Sequence, residues 1–174
     1  MVALYDIRAY HAYVIFLRVF MALTISTSEP KATQAVAERI AKRLAGGAVI
    51  ELASDLGGGK TTFVQGLAKG LGYTSDVTSP TFVLSRVYKI SKSLELHHYD
   101  LYRLGTGGIV GQELAEDIAD PEVITVIEWA GIVADELPTD RLRIEFVVTG
   151  DLERDLVITS GGKVSDRLIE GLTS

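Results

Sequence analysis

The chain contains no cysteine and no asparagine, only four prolines and a single tryptophan. Without cysteine there can be no disulfide, no thiolate nucleophile and no metal site built on sulfur, a composition that suits a reducing cytoplasm. The missing asparagine excludes the Asn-Lys-x-Asp element with which a guanine-nucleotide switch reads its base. Positive charge is also in short supply: 17 Lys and Arg stand against 23 Asp and Glu, a net charge of −6. A chain of that sign lacks the basic field that draws a protein onto nucleic acid, so service to a nucleic acid is expected to run through a partner. Long hydrophobic runs are absent from the aromatic N-terminal segment. Its uncharged stretch His11 to Leu17 falls far short of the ~20 apolar residues of a membrane span, and no membrane association is expected.

What remains is an ordinary globular composition, 47% hydrophobic and 23% charged over 174 residues, which fits one domain. Residues 1–20 stand apart, because Tyr5, Tyr10, Tyr13, Phe16 and Phe20 are five of the thirteen aromatics. The segment lacks the early positive region and cleavage site of a signal peptide. It reads as an N-terminal extension upstream of a start at Met21, and residues 21–174 as the domain.

Within that domain Ser28 is placed to cap a helix carrying Ala32, Val36, Ile40 and Leu44 on one face, ended by Gly46–Gly47. Residues 48–53 form a short apolar strand, and residues 63–71 a helix. Phe82–Tyr88 and Leu94–Tyr99 read as a strand hairpin. Gly105–Gly111 reads as loop and Gln112–Ile118 as helix. Val123–Ile127 is a continuous apolar run, as in a strand buried on both faces. Further strands over 141–148 and 155–159 and a helix over 164–172 complete an α/β domain, with a mixed, mainly parallel sheet flanked by helices.

Between the first of those strands and its helix lies Ser54-Asp-Leu-Gly-Gly-Gly-Lys-Thr-Thr62. It matches the phosphate-loop pattern G-x-x-x-x-G-K-[ST] except that Ser54 replaces the first glycine. Gly57, Gly58 and Gly59 let successive backbone N–H groups wrap phosphate oxygens with no Cβ in the way. Lys60, at the surface end of its helix, supplies a mobile charge to the β- and γ-phosphates. Thr61 offers a hydroxyl to Mg²⁺, and the helix start adds free N–H groups. A glycine-rich turn with a chance Lys-Thr is the alternative, disfavoured by the strand before and the helix after.

Ligands of open α/β sheets sit beyond the carboxyl ends of the strands. Two acids end strands here, Glu128 after Val123–Ile127 and Asp100 after Leu94–Tyr99. Either could meet Mg²⁺ while the other orients or activates the attacking water. His97 and His98 point to opposite faces of a strand, which argues against a zinc centre and for packing or hydrogen bonding beside the site. The loop Val77–Thr81 gathers three hydroxyls around Pro80, which suits a segment sensing a γ-phosphate and also an ordinary turn.

Four stretches in order, residues 55–62, Val-Thr-Ser-Pro-Thr-Phe (77–82), His-His-Tyr-Asp-Leu-Tyr-Arg-Leu (97–104) and Ile-Glu-Trp (127–129), resemble the TsaE family of bacterial ATPases of tRNA threonylcarbamoyladenosine biosynthesis. The resemblance implies a compact P-loop NTPase fold, ATP and Mg²⁺ as cofactors, and a cytoplasmic role. It implies a two-protein partner of the TsaD and TsaB type, which places the threonylcarbamoyl group on tRNA and through which alone this chain meets tRNA. ATP hydrolysis, weak in isolation, would reset that ligase. On the same basis Lys60, Thr61 and Thr62 belong to the phosphate and Mg²⁺ set, Glu128 is a metal-site acid, Asp100 an acid needed for hydrolysis, and Thr33 a helix residue near the nucleotide. Residues 1–20 have no counterpart in the resemblance.

Two other readings compete. A small-molecule kinase shares the length and the loop but needs arginines in a lid, and only Arg86 and Arg103 lie mid-chain. A nucleotide-dependent binding module would switch partner affinity on ATP occupancy, with hydrolysis incidental.

Overall fold

A computed structural model describes residues 22–105, 108–170 and 172. The reading of residues 1–20 as an extension, with the domain starting at Met21, therefore lies outside the described residues. No described helix is long and apolar enough to cross a membrane.

The sheet has seven strands: β1 (Ala22–Thr27), β2 (Val49–Ala53), β3 (Ser85–Lys89), β4 (Glu95–Asp100), β5 (Val123–Glu128), β6 (Leu142–Val148) and β7 (Arg154–Ser160). Their order is β1-β7-β6-β2-β5-β4-β3. The middle pairs β6–β2, β2–β5 and β5–β4 run parallel, whereas β1–β7, β7–β6 and β4–β3 run antiparallel. Among the described residues the α-helices are α1 (Pro30–Ala41), α2 (Lys60–Gly70), α3 (Gly108–Ala119) and α4 (Lys163–Glu170). This is the mixed α/β sheet flanked by helices that the sequence pattern predicts, with its parallel pairs confined to the centre and as many antiparallel pairs toward the edges.

Strand alternation divides the core between the two faces. Ile50, Leu52, Ile124 and Val126 belong to a cluster with the buried residues of α1, α2 and α4. Val49 and Ile127 point the other way, to Leu114 of α3 and to Ala130 and Val133 of a short 3-10 turn. β5 meets both clusters, so all six of its residues are buried and an uninterrupted apolar run suits it. α1 and α2 pack at close range through Gly66 and Gly70. A Cβ on Gly66 would lie 2.8 Å from that of Ala37, and one on Gly70 would lie 2.6 Å from that of Ala41.

Several boundaries differ from the sequence reading. β1 falls on residues that reading left without an element, and it pairs along its whole length with β7. The cap of α1 is Glu29, not Ser28, and no side chain caps the helix. Pro30 at the first helical position forces its predecessor into extended backbone, and Glu29 complies with φ −159° and ψ 162°. β3 starts at Ser85 because the chain turns through residues 80–84, with Leu84 at φ +67°. α3 begins at Gly108, inside the stretch read as loop.

Candidate active site

The loop between β2 and α2 crosses the carboxyl end of the parallel centre. Gly57 and Gly59 have φ of +77° and +110°, conformations that a Cβ would strain, and Gly59 is the residue from which α2 starts. Gly58 is required for space: a Cβ there would stand 2.2 Å from Ser54 Oγ. The serine at the pattern's first position thus packs directly on the glycine run.

Lys60, expected at the surface end of α2, is only 5% exposed. Its ammonium donates to the carbonyls of Ser54 and Asp55, both at 3.1 Å, and to Ser54 Oγ at 3.0 Å. It lies 3.9 Å from Glu128 Oε2 and 4.5 Å from the centre of the Trp129 ring. Burial lowers the Lys60 ammonium below its ordinary range, opposed by the charges of Glu128, Asp100 and Asp55.

Asp100 and Glu128 are register partners at the ends of adjacent parallel strands, 4% and 3% exposed. Asp100 Oδ2 accepts from Thr81 Oγ1 at 2.5 Å and from Ser79 Oγ at 3.3 Å, while Oδ1 accepts from the Tyr102 N–H at 3.1 Å. Two hydroxyls of the 77–81 loop, those of Ser79 and Thr81, therefore serve the acid, and Asp100 also caps the turn that follows it. Glu128 Oε1 accepts from Nε2 of the fully buried His98 at 2.9 Å, leaving Oε2 toward Lys60.

Backbone strain sits next to both acids. Leu84 and Trp129 are the residues other than glycine with positive φ among those described, at +67° and +61°. Such conformations cost roughly 1–3 kcal/mol each and persist where the surroundings over-determine them. The Leu84 carbonyl accepts from the Asp100 N–H at 2.9 Å, and Trp129 directly follows Glu128.

Residues Gly57 to Thr62, Ser79, Thr81, Asp100, Glu128 and Trp129 line one cavity of about 230 Å³. The arrangement offers the N-terminal end of α2, one buried cation, threonine hydroxyls and two carboxylates, which is the donor set for a polyanion and a hard cation. Thr33 does not line this cavity. It is buried at the start of α1, its Oγ1 3.0 Å from that of Thr27. His97 faces the opposite side of the sheet and meets Asp117 of α3. Neither Arg86 nor Arg103 lines the cavity; Arg103 lies 4.5 Å over the ring of Phe82, which is 83% exposed.

A model of the family described as threonylcarbamoyl adenosine biosynthesis protein TsaE matches residues 27–156, well over half of the chain. The chain belongs to the TsaE family. Among its relatives, a Bacillus subtilis protein called tRNA threonylcarbamoyladenosine biosynthesis protein TsaE is 36% identical over 152 residues, covering 84% of this chain and 91% of that one. The Streptomyces coelicolor protein of the same name is 39% identical over 130 residues, 72% of this chain and 88% of its own. The crystal structure of Bacillus subtilis YdiB superposes with a TM-score of 0.75 at 35% identity, covering 90% of this chain and 97% of that one. The TsaE resemblance stated from four short motifs thus extends over most of the fold.

Two residues shape this TsaE-family site from beside it. His98, expected to pack or hydrogen-bond beside the site, holds one oxygen of Glu128. Arg154, at the start of β7, reaches the carbonyls of Gly57 and Gly58. A lone arginine opening a polar strand has no local pattern to mark it.

Proposed function

We propose that this protein binds ATP with Mg²⁺ at the glycine loop and hydrolyses the γ-phosphate, in support of tRNA threonylcarbamoyladenosine formation by a two-protein partner of the TsaD and TsaB type. The observation that carries the reading is the convergence of Lys60, Thr61, Asp100 and Glu128 on one cavity floored by three glycines. Membership of the TsaE family supports the pathway. The net charge of −6 supports contact with tRNA only through partners.

The residues fit the nucleotide and the metal. Gly57 and Gly59 have the positive φ that turns backbone N–H groups toward an anion, and α2 contributes its free N–H groups and the positive end of its dipole. Thr61 and Glu128 would hold Mg²⁺, being the hard oxygen donors that ion prefers. Mg²⁺ held there would neutralise the charge that develops on the phosphate oxygens. Lys60 is the cation for the β- and γ-phosphates; its carbonyl partners are exchangeable for phosphate oxygens of greater charge. His98 fixes the orientation of Glu128. Asp100, held by Ser79, Thr81 and the Tyr102 N–H, would orient a water for attack and take its proton.

The test is titration of the purified protein with ATP, with and without Mg²⁺, followed by phosphate release alone and with the partner ligase and tRNA. Mg²⁺-dependent ATP binding and partner-stimulated phosphate release are expected. Absence of binding sinks the nucleotide assignment. Equal support of modification by a non-hydrolysable analogue over many turnovers would replace hydrolysis with simple occupancy.

A further inference from the structure

Gly57 and Gly59 have no side chain with which to hold their own conformation, and glycine loses more freedom on ordering than any other residue. The loop is instead held from outside by one guanidinium. Arg154 Nε donates to the Gly58 carbonyl at 3.0 Å, and Nη2 reaches the Gly57 carbonyl at 3.4 Å. Nη1 donates to the carbonyls of Glu153 at 2.7 Å, Gly150 at 2.9 Å and Asp151 at 3.4 Å, in the turn joining β6 to β7. The backbone behind this side chain is itself fixed. The Arg154 carbonyl accepts from Thr27 Oγ1 at 3.2 Å, and Arg154 is the register partner of Thr27 on β1 and of Val148 on β6.

The consequence follows from the planarity of the peptide bond. In a trans peptide the carbonyl of one residue and the N–H of the next point in opposite directions. Drawing the Gly57 carbonyl toward Arg154 turns the Gly58 N–H inward, where it donates to the Asp55 carbonyl at 3.2 Å and closes the turn. Drawing the Gly58 carbonyl the same way directs the Gly59 N–H away from Arg154, at the point where α2 begins. We propose that Arg154 is a positioning residue of the glycine loop, holding the Gly57 and Gly58 carbonyls outward so that the Gly59 N–H stays aimed at the nucleotide phosphates. The nucleotide part of this statement rests on the ATP reading above; the pinning of the loop does not. A planar fork is needed, because a lysine ammonium is a point donor that cannot span the glycine loop and the β6–β7 turn in this geometry.

The test compares R154M and R154K with the unaltered chain, using two readouts. Without nucleotide, amide hydrogen exchange followed by mass spectrometry should quicken over residues 54–62 in both variants, with the peptides of β2 and β5 unchanged. With nucleotide, both should bind ATP and ADP about tenfold more weakly, the effect of one lost charge-assisted hydrogen bond. Exchange over 54–62 equal to that of the unaltered chain overturns the proposal. So does exchange that quickens uniformly along the chain, since Arg154 would then serve overall stability. If the unaltered chain binds no ATP, the nucleotide reading fails, and the exchange comparison still decides whether Arg154 pins the loop.

Discussion

His97 and His98 are neighbours on β4, each faces a carboxylate, and the two pairs do different work. His98 is enclosed by the sheet face that carries the main core, and its Nε2 lies 2.9 Å from Glu128, which turns its other oxygen toward Lys60. His97 lies on the α3 face, where Nδ1 approaches Asp117 at 2.5 Å and Nε2 approaches Glu95 at 3.0 Å. Tyr99, two residues on, donates to the same Asp117 oxygen at 2.5 Å. The first pair borders a cavity with a cation, a second acid and a glycine loop; the second ties a helix to a strand. A histidine–carboxylate contact is therefore no functional signal by itself. What distinguishes the two faces is what else converges there.

The sharpest way to break this comparison is Lys60→Ala. It removes the one cation of the cavity and should cost about 3 kcal/mol of ATP affinity, more than a hundredfold, together with hydrolysis. Calorimetric titration and a phosphate-release assay check it. Normal turnover in the mutant would sink the assignment of the His98 face as the site.

The two acids come next. Asp100→Asn should keep ATP binding and lose roughly a hundredfold or more in turnover, the usual worth of a positioned general base. Glu128→Gln should lower turnover and also weaken the Mg²⁺-dependent part of binding. The opposite pattern would exchange their roles, and two silent mutants would dismiss both.

The α3 face should behave in the opposite sense. Asp117→Asn weakens the bonds to His97 and Tyr99 and should lower stability by about 1–2 kcal/mol in a urea melt, with nucleotide binding unchanged. A change in ATP affinity there would join the two faces and undo the comparison.

The smallest effect is in the pH dependence. Burial lowers the His97 pKa, but Glu95 and Asp117 outweigh it, so the ring titrates above its ordinary value of 6.5. A raised folded-state value means the contribution to stability is complete below pH 6.5 and is lost as pH rises through the folded value. Melting temperature should therefore carry a component that declines from about neutral pH upward, and His97→Gln should remove it. An unchanged pH profile in that variant would show that the imidazolium pair contributes nothing.

Much of the site was legible because its signals are local. The glycine run before Lys60 is a backbone requirement written into adjacent residues, and the apolar run before Glu128 follows from burial on both faces of one strand. The alternation along β4 predicted that His97 and His98 would part company. Other features were legible only in the fold. β1 stands as a strand because β7 is there to receive its hydrogen bonds, and Ser28 loses the cap of α1 to the backbone that Pro30 imposes on Glu29. The sequence by itself determined which segments would carry the glycines, the lysine and the two acids, since φ preference and hydrophobic period act within a few residues. Only the tertiary structure decided that Lys60 is buried, that Ser79 and Thr81 bond to Asp100, and that Arg154 holds the glycine loop from 96 residues away. Contacts across such separations are set by strand order and register, which no local pattern records.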